Sequence, residues 1–492
     1  MKAFRSDERA ALMRVNAAYN GHGLNLRDNA PIVKADIIVM PASPLFADLY
    51  EFTMLDAYHA LGMDQTSVFS LFVRKLPSNR NFLIACGIES LIDDIEALRF
   101  SDEDVDYLSS LMRFRPEFLS WLKSFRFTGN IYAMPEGTPF FGNEPILEVV
   151  APIAEAQLLE TIILNQVGFQ TMIASKTARV VAAGQGRVVV DFGGRRAHGT
   201  DAAIKGARAA FIAGAAATSN VEAGRLYGIP VTGTVAHSFV EAFETELEAF
   251  RKFTQLFPET TLLVDTYDTL AGVSNVVALA RQLGATFKVQ AIRLDSGDLL
   301  QLASGARQIL DDAGLGNVRI FASGGLDEWK IARLLREGAP IDAFGVGTEM
   351  IVSSDAPAFD IAYKLCEYDG VGRMKLSAGK RNLPGRKQVF RHFVNGQATG
   401  DTISRAAEER LGDRPLLRLM VSSGRRRTVA PELSEIRSAS KAWIAELPEP
   451  IRLVEPTPCP FFVDVSPALN AHEAYTRNLA RQAGGSSPRI LF

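Results

Sequence analysis

Between Gly186 and Ser354 the chain alternates short β-branched runs with helix-length segments at a period of ~30 residues. This rhythm restricts the fold more than any other feature. A strand followed by a crossover helix returns parallel to its predecessor, so repeated units build a parallel sheet. Strands are predicted at Val188 to Phe192, Ile229 to Thr232, Thr261 to Val264, Gln290 to Leu294, Val318 to Ala322 and Ala343 to Val346. Helices are predicted from Asp201, as N-cap, to Ala216, and over Ser238 to Phe250, Leu270 to Leu283, Leu299 to Asp312 and Glu328 to Arg336. No strand can be defined around the link Thr218-Ser-Asn220.

An open doubly wound sheet and a closed barrel both satisfy the alternation. The placement of polar residues favours the barrel. Nearly every predicted strand runs into a polar, often glycine-containing stretch: Asp191 to Arg196, Gly233 to Ser238, Asp265 to Asp268, Arg293 to Asp298, Ser323 to Asp327 and Gly345 to Thr348. A barrel gathers such ends at one mouth, where its active site lies. An open sheet spreads them along an edge. The expected class is therefore α/β, with an irregular α/β barrel over residues 177–362. Residues 41–176 are expected to form a second, α+β domain. Residues 363–492 would pack on both, and residues 1–40 would be a weakly ordered extension.

Composition excludes several function classes. The 492 residues are 47% apolar and 22% charged with a net charge of −3, which argues against a general nucleic-acid or membrane-surface role. An anionic ligand would need a local basic cluster. Cys86, Cys366 and Cys459 are far apart, so neither a disulfide framework nor metal-ligand spacing is implied, and a reducing, cytoplasmic setting fits. No apolar run approaches the ~20 residues that span a bilayer.

The strand ends hold the candidate chemistry. Ser323-Gly324-Gly325 and Gly345-Val346-Gly347-Thr348 offer backbone N–H groups and hydroxyls with little bulk. That suits a phosphate, although tight turns alone would also use glycine. Asp295 and Asp298, three apart beside Arg293, could hold Mg²⁺ or ribose hydroxyls, and Asp298 could equally cap the next helix. Asp265 and Asp268 form a weaker pair of the same kind. Arg195 and Arg196 place two guanidinium groups at one strand end, a suitable clamp for a carboxylate or phosphate unless one faces solvent. His198 reads as a packing or hydrogen-bonding residue. His237, with Thr234 and Ser238 beside it, is either a chemical group or a histidine of the helix start. The residues alone leave both readings open, and zinc is disfavoured because no His or Cys stands at ligand spacing.

The motifs Asp48-Leu-Tyr50-Glu-Phe-Thr53-Met54, Phe72-Val-Arg74-Lys-Leu-Pro77, Asp191 to Arg196, Thr218 to Pro230, Gly233 to Phe239, Arg293 to Leu299, Phe344 to Thr348 and Lys375 to Lys387 occur in order. Together they resemble the nicotinate phosphoribosyltransferase family from about residue 41 to at least residue 391, and Ser434-Glu-Ile-Arg437 continues the likeness more weakly. The resemblance implies transfer of 5-phosphoribosyl from phosphoribosyl diphosphate to nicotinate, with Mg²⁺ and with ATP as co-substrate. It implies an irregular α/β barrel of the type II phosphoribosyltransferase kind. It also implies a homodimer whose sites are shared between subunits, and coupling to ATP through a phosphorylated histidine at the position of His237. By the same resemblance Arg195 and Ser238 clamp the nicotinate carboxylate, and Tyr50 stacks on the pyridine ring. Asp295 holds ribose hydroxyls or the metal, with Asp298 a further metal candidate. Ser323, Gly324, Gly325, Gly345, Gly347 and Thr348 cradle the 5-phosphate. Arg74, Arg196 and Lys375 are candidates for the diphosphate or the ATP phosphates.

Two departures stand out. Ala47 occupies a position where the family often has Thr, and the stretch before Met40 is longer than the family usually carries. Nicotinamide phosphoribosyltransferase, the nearest rival, carries Asp where this chain has Ser219. Asp would repel a carboxylate substrate, so Ser219 favours nicotinate. Quinolinate phosphoribosyltransferases are shorter and would need more basic groups. A catalytically silent homologue would be expected to have lost His237, Asp295 or a glycine cradle. An aldolase would need a lysine at a strand end, and none is present.

Overall fold

The computed structural model describes residues 42–377 and 382–485, so the expectation for residues 1–40 lies outside the described residues. Two compact units emerge. One holds Gly184–Arg195 and Ala215–Gly347; the other holds residues 42–183, Arg196–Gly214 and residues from Thr348 onward.

The first unit is built on six strands: β1 (Val188–Asp191), β2 (Ala217–Thr218), β3 (Thr261–Leu263), β4 (Ala291–Leu294), β5 (Arg319–Ala322) and β6 (Ala343–Val346). Every pairing among them is parallel, in the order β2-β1-β6-β5-β4-β3. The first strand therefore pairs with both the second and the last. Except for β2 and β3, which form the two open edges, chain neighbours are spatial neighbours, which is the order of an opened ring and not of a sheet with a reversal point.

The ring is incomplete. The run Ile229 to Thr232 is not a strand as expected but one parallel bridge, Thr218 to Val231. Pro230 lacks an N–H and so cannot supply a full ladder; its carbonyl accepts from Thr218 N at 3.0 Å, and Thr232 N donates to Thr218 O at 3.0 Å. Among the described residues no pairing joins this stretch to β3. Inside, Val190, Ala217, Phe321 and Ala343 pack together. The rings of Phe192 and Phe321 lie 5.6 Å apart, and a Cβ on Gly345 would fall 2.6 Å from the first and 2.8 Å from the second. Gly345 is thus required by barrel packing. A cavity of about 50 Å³ remains, bordered by Phe192, Thr234, Thr261 and Phe321.

Helices Leu299–Asp312 and Glu328–Arg336 lie where expected, and Thr269–Leu283 starts one residue early. The predicted helix Ser238 to Phe250 is broken into His237–Glu241 and Glu246–Leu256, because Thr245 caps the second piece by accepting from Glu248 N at 3.2 Å. Asp201 is not an N-cap either. The helix runs Thr200–Ile212 from Gly199, and Asp201 pairs with Lys205 at 3.0 Å. The undefined link at Thr218 proves to be the two-residue strand β2.

The second unit contains a seven-stranded sheet and a four-stranded sheet. Thr66–Val73 lies between Ile361–Tyr368 and Pro145–Pro152, antiparallel to both, and is buried along all but its first residue. That burial explains why its apolar residues do not alternate with polar ones, and why Ser67 and Ser70 are hydrogen-bonded there. The hairpin Lys387–Val394 with Gln397–Arg405 centres the smaller sheet. A 24-residue helix, Glu160–Ala183, is largely buried. Among the described residues no helix is long and apolar enough to cross a membrane.

Candidate active site

The ends of the barrel strands converge on Arg293, which emerges from β4. Its guanidinium uses every nitrogen. Nε donates to Ser323 Oγ at 2.7 Å, Nη1 to Thr234 Oγ1 at 2.8 Å and Nη2 to Asp295 Oδ1 at 2.6 Å, while the group lies 5.4 Å from the centre of the Phe192 ring. Ser323 in turn donates to Asp295 Oδ1 at 2.5 Å. Burial alone would raise the Asp295 carboxyl, but the Ser323 hydroxyl and the Arg293 charge outweigh it and hold the group below the ordinary carboxylate range. Asp295 is therefore anionic, with Oδ1 saturated. Its Oδ2 faces His237 Nε2 at 3.9 Å, beyond hydrogen-bond reach. The other imidazole nitrogen, Nδ1, is 3.2 Å from Thr266 Oγ1, which sets the ring's orientation.

Behind Asp295 stands Asp265, buried at the end of β3. Its Oδ2 accepts from Asp295 N at 2.9 Å and from Ser296 Oγ at 2.6 Å, fixing the turn that carries Asp295. Asp268 and Asp298 have helix-capping work. Asp268 accepts from Ala271 N at 2.8 Å, and Asp298 accepts from Leu300 N at 3.1 Å and Gln301 N at 3.3 Å. Of the acidic pair at this end, the structure leaves only Asp295 open. No group of three or more His, Cys, Asp and Glu side chains suited to a metal occurs among the described residues.

At the end of β1, Asp191 is buried, and burial raises its carboxyl. It accepts from Gly193 N at 2.8 Å and from Thr218 Oγ1 at 2.7 Å, so it shapes the turn that presents Arg195. Ser219 N donates to Asp191 O at 2.8 Å. Arg195 and Ser219 are thus exposed at the ends of two paired strands, and Ser238 is exposed at the start of the His237 helix.

Gly324 and Gly325 have φ of 91° and 58°, and a Cβ on Gly324 would lie 1.8 Å from Asp295 O. Only glycine fits there, and the reason is the contact with the neighbouring strand end. Lys330 donates to Gly325 O at 2.5 Å, adding a cation beside this turn. Gly347 is half-buried, with a would-be Cβ 3.2 Å from Phe192 O.

Five of the expected residues belong to the other unit. Tyr50 is exposed on helix Leu49–Ala60, its hydroxyl raised by partial burial and by Glu160 and Glu51. Arg74 is engaged by Asp360 at 2.6 Å. Arg196 and Lys375 are exposed, and Thr348 opens a short helix, Thr348–Ile351. Sequence reasoning named Arg293 only as a neighbour of Asp295, named Asp265 only in a weaker pair with Asp268, and overlooked Thr266 and Lys330. Arg293 had one visible signal, a charged residue inside an apolar strand; Thr266 and Lys330 had none.

Comparison with known proteins bears on this geometry. Residues 45–168 match the nicotinate phosphoribosyltransferase N-terminal domain, and residues 188–381 match the nicotinate phosphoribosyltransferase family. A nicotinate phosphoribosyltransferase of Mycobacterium tuberculosis is 53% identical over 435 residues, covering 88% of this chain and 94% of that protein. One from Bacillus subtilis is 42% identical over 385 residues, with 76% and 78% covered. The crystal structure of human nicotinic acid phosphoribosyltransferase superposes with a TM-score of 0.79 at 28% identity, covering 88% of this chain and 99% of the other. With both matched segments in order along one chain, and with the strand-end constellation in the expected barrel, the chain belongs to the nicotinate phosphoribosyltransferase family.

Proposed function

We propose that the protein transfers 5-phosphoribosyl from phosphoribosyl diphosphate to nicotinate, giving nicotinate mononucleotide and diphosphate, and that ATP hydrolysis is coupled to this reaction through His237. The observation that carries the reading is the Arg293–Ser323–Asp295 network with His237 3.9 Å away, at the convergent ends of a parallel barrel.

Displacement at the ribose anomeric carbon develops oxocarbenium character, with positive charge on the ring. Asp295, held anionic by Arg293 and Ser323, offers Oδ2 to the ribose hydroxyls and favours that charge. Arg195 and Ser238 receive the nicotinate carboxylate, and the neutral Ser219 admits it. The turns at Ser323, Gly324 and Gly325 and at Gly347 and Thr348 hold the 5-phosphate, with Lys330 adding charge. Gly345 serves that cradle indirectly, by letting Phe192 and Phe321 pack beneath it. Arg74, Arg196 and Lys375 remain candidates for the diphosphate and ATP phosphates, and Tyr50 for stacking on the pyridine ring from a partner subunit of a homodimer. The protein's main work is alignment of the ring nitrogen with the anomeric carbon.

The donor set suits Mg²⁺ arriving with its substrate. Asp295 Oδ2 is the open carboxylate oxygen, and Mg²⁺ typically takes one or two carboxylates and completes its shell with substrate oxygens and water. When bound there, the ion neutralises charge on the departing diphosphate. In the coupling step a ring nitrogen of His237 bonds to the γ-phosphorus of ATP, the bond to the β-phosphate oxygen breaks, ADP leaves and the ring proton is released. Water later returns phosphate. A phosphoryl group on His237 adds negative charge beside Asp295, and this change alters the site's affinity for its substrates.

The test is product formation from labelled nicotinate, phosphoribosyl diphosphate and Mg²⁺, with and without ATP, and with nicotinamide in parallel. Nicotinate mononucleotide that increases with ATP is expected. Absence of product from nicotinate would overturn the reading, and product insensitive to ATP would overturn the coupling.

A further inference from the structure

A cavity of about 550 Å³ lies wholly within the second unit, between its seven-stranded and four-stranded sheets. It shares no residue with the barrel-end constellation. Three aromatic rings, Phe72, Phe141 and Phe461, line it, and the last two stack with centroids 4.1 Å apart and planes 11° from parallel. The mouth is a built feature. Asn81 Nδ2 donates to the carbonyls of Leu453 and Glu455 at 3.1 and 3.0 Å, and its Oδ1 accepts from Thr457 N at 2.9 Å, pinning the irregular rim segment in place.

The charge of the lining is one-sided. Lys75, Arg80 and Lys387 line the cavity, and among the described residues no Asp or Glu does. Lys387 is spent on Glu148 at 3.0 Å and on the carbonyls of Leu383 and Gly385. Asn382 and Ser70 are likewise committed to protein partners. Arg80 is committed too: its terminal nitrogens bind Asp355 at 2.6 and 3.0 Å, and its side chain has no accessible surface, so it meets the cavity through its backbone. Lys75, at an exposed position of the lining, has no ion pair among the described residues. The open charge is thus a single cation, set among aromatic rings in a volume typical of small-molecule sites.

We propose that this cavity binds a small planar organic anion, its rings against Phe72 and Phe461 and its acidic group at Lys75. The inference is independent of the reaction proposed above.

The probe is 8-anilinonaphthalene-1-sulfonate, an aromatic sulfonate that fluoresces in apolar surroundings, titrated into the full chain. One saturable site per chain is expected, undisturbed by saturating nicotinate and phosphoribosyl diphosphate. Lys75→Glu should weaken it about tenfold by reversing one partly screened charge, and Ser78→Trp should block it at the exposed rim. The uncharged N-phenyl-1-naphthylamine should bind wild type and Lys75→Glu equally. Displacement by the substrates, the lack of a saturable site, or an affinity within twofold of wild type in either variant would overturn the proposal. A crystal structure of the complex with the sulfonate elsewhere would overturn it whatever the variants do.

Discussion

Replacing Arg293 with Met keeps the length of the side chain and removes the fork at the centre of the candidate site. Three hydrogen bonds vanish, at 2.6 Å to Asp295, 2.7 Å to Ser323 and 2.8 Å to Thr234. A bond from a cation to a carboxylate is worth about 1.5–3 kcal/mol, and each bond to a hydroxyl about 1 kcal/mol. The Asp295 side chain is 27% exposed, so water recovers part of the carboxylate's loss. The net destabilisation of the barrel unit is then about 3 kcal/mol, which for a unit of this size lowers Tm by roughly 6–12 °C. The pH dependence follows from the direction of the Asp295 shift. Its folded-state value is depressed, so the stabilisation is present above the ordinary carboxylate value and is lost as pH falls through the depressed one. The difference between wild type and Arg293→Met should be full at neutral pH and shrink below about pH 4. Calorimetric unfolding of both proteins across that range tests this. A Tm difference under about 2 °C at neutral pH, or one that persists undiminished in acid, would refute the assigned network.

Three further outcomes follow from the same geometry. Gly324→Ala forces a Cβ to within 1.8 Å of Asp295 O at a φ of 91°, so it should cost about 3 kcal/mol or more and displace Asp295; unfolding and turnover measured together will show both losses. His237→Ala should abolish ATP stimulation while leaving ATP-independent transfer measurable, read as nicotinate mononucleotide formed with and without ATP. Ser219→Asp places a carboxylate at the exposed strand end paired with that of Arg195, and should raise KM for nicotinate by about tenfold to a hundredfold, with nicotinamide far less affected; the KM ratio for the two pyridines is the readout.

Much of the barrel can be read in the sequence because its signals are local. Runs such as Val188 to Asp191 and Ala343 to Val346 mark buried strands by composition alone, and the helices between them set a parallel direction. The motifs around Arg195, His237, Asp295 and Ser323 are short and contiguous, so the family and the strand ends that would hold its chemistry are legible without coordinates. Departures arise where one residue overrides a segment's average. Thr245 splits a helix that periodicity joins, and Pro230 reduces a predicted strand to a single bridge.

What the sequence by itself determined is the set of elements, their parallel sense and the candidate residues, since propensity, periodicity and capping act over a few neighbours. Only the tertiary structure decided that Arg293 binds Ser323, Thr234 and Asp295 at once, that Thr266 orients His237, and that Asp265 braces Asp295. It also decided that Gly345 is needed to seat two aromatic rings while Asp298 is absorbed in a cap. Apart from Arg293 and Asp295, which are two residues apart, these partners come from different strand ends about 30 to 60 residues apart, and no local pattern marks them. The ring of parallel strands brings them within hydrogen-bond distance, and the directionality of those bonds selects which side chains remain open for chemistry.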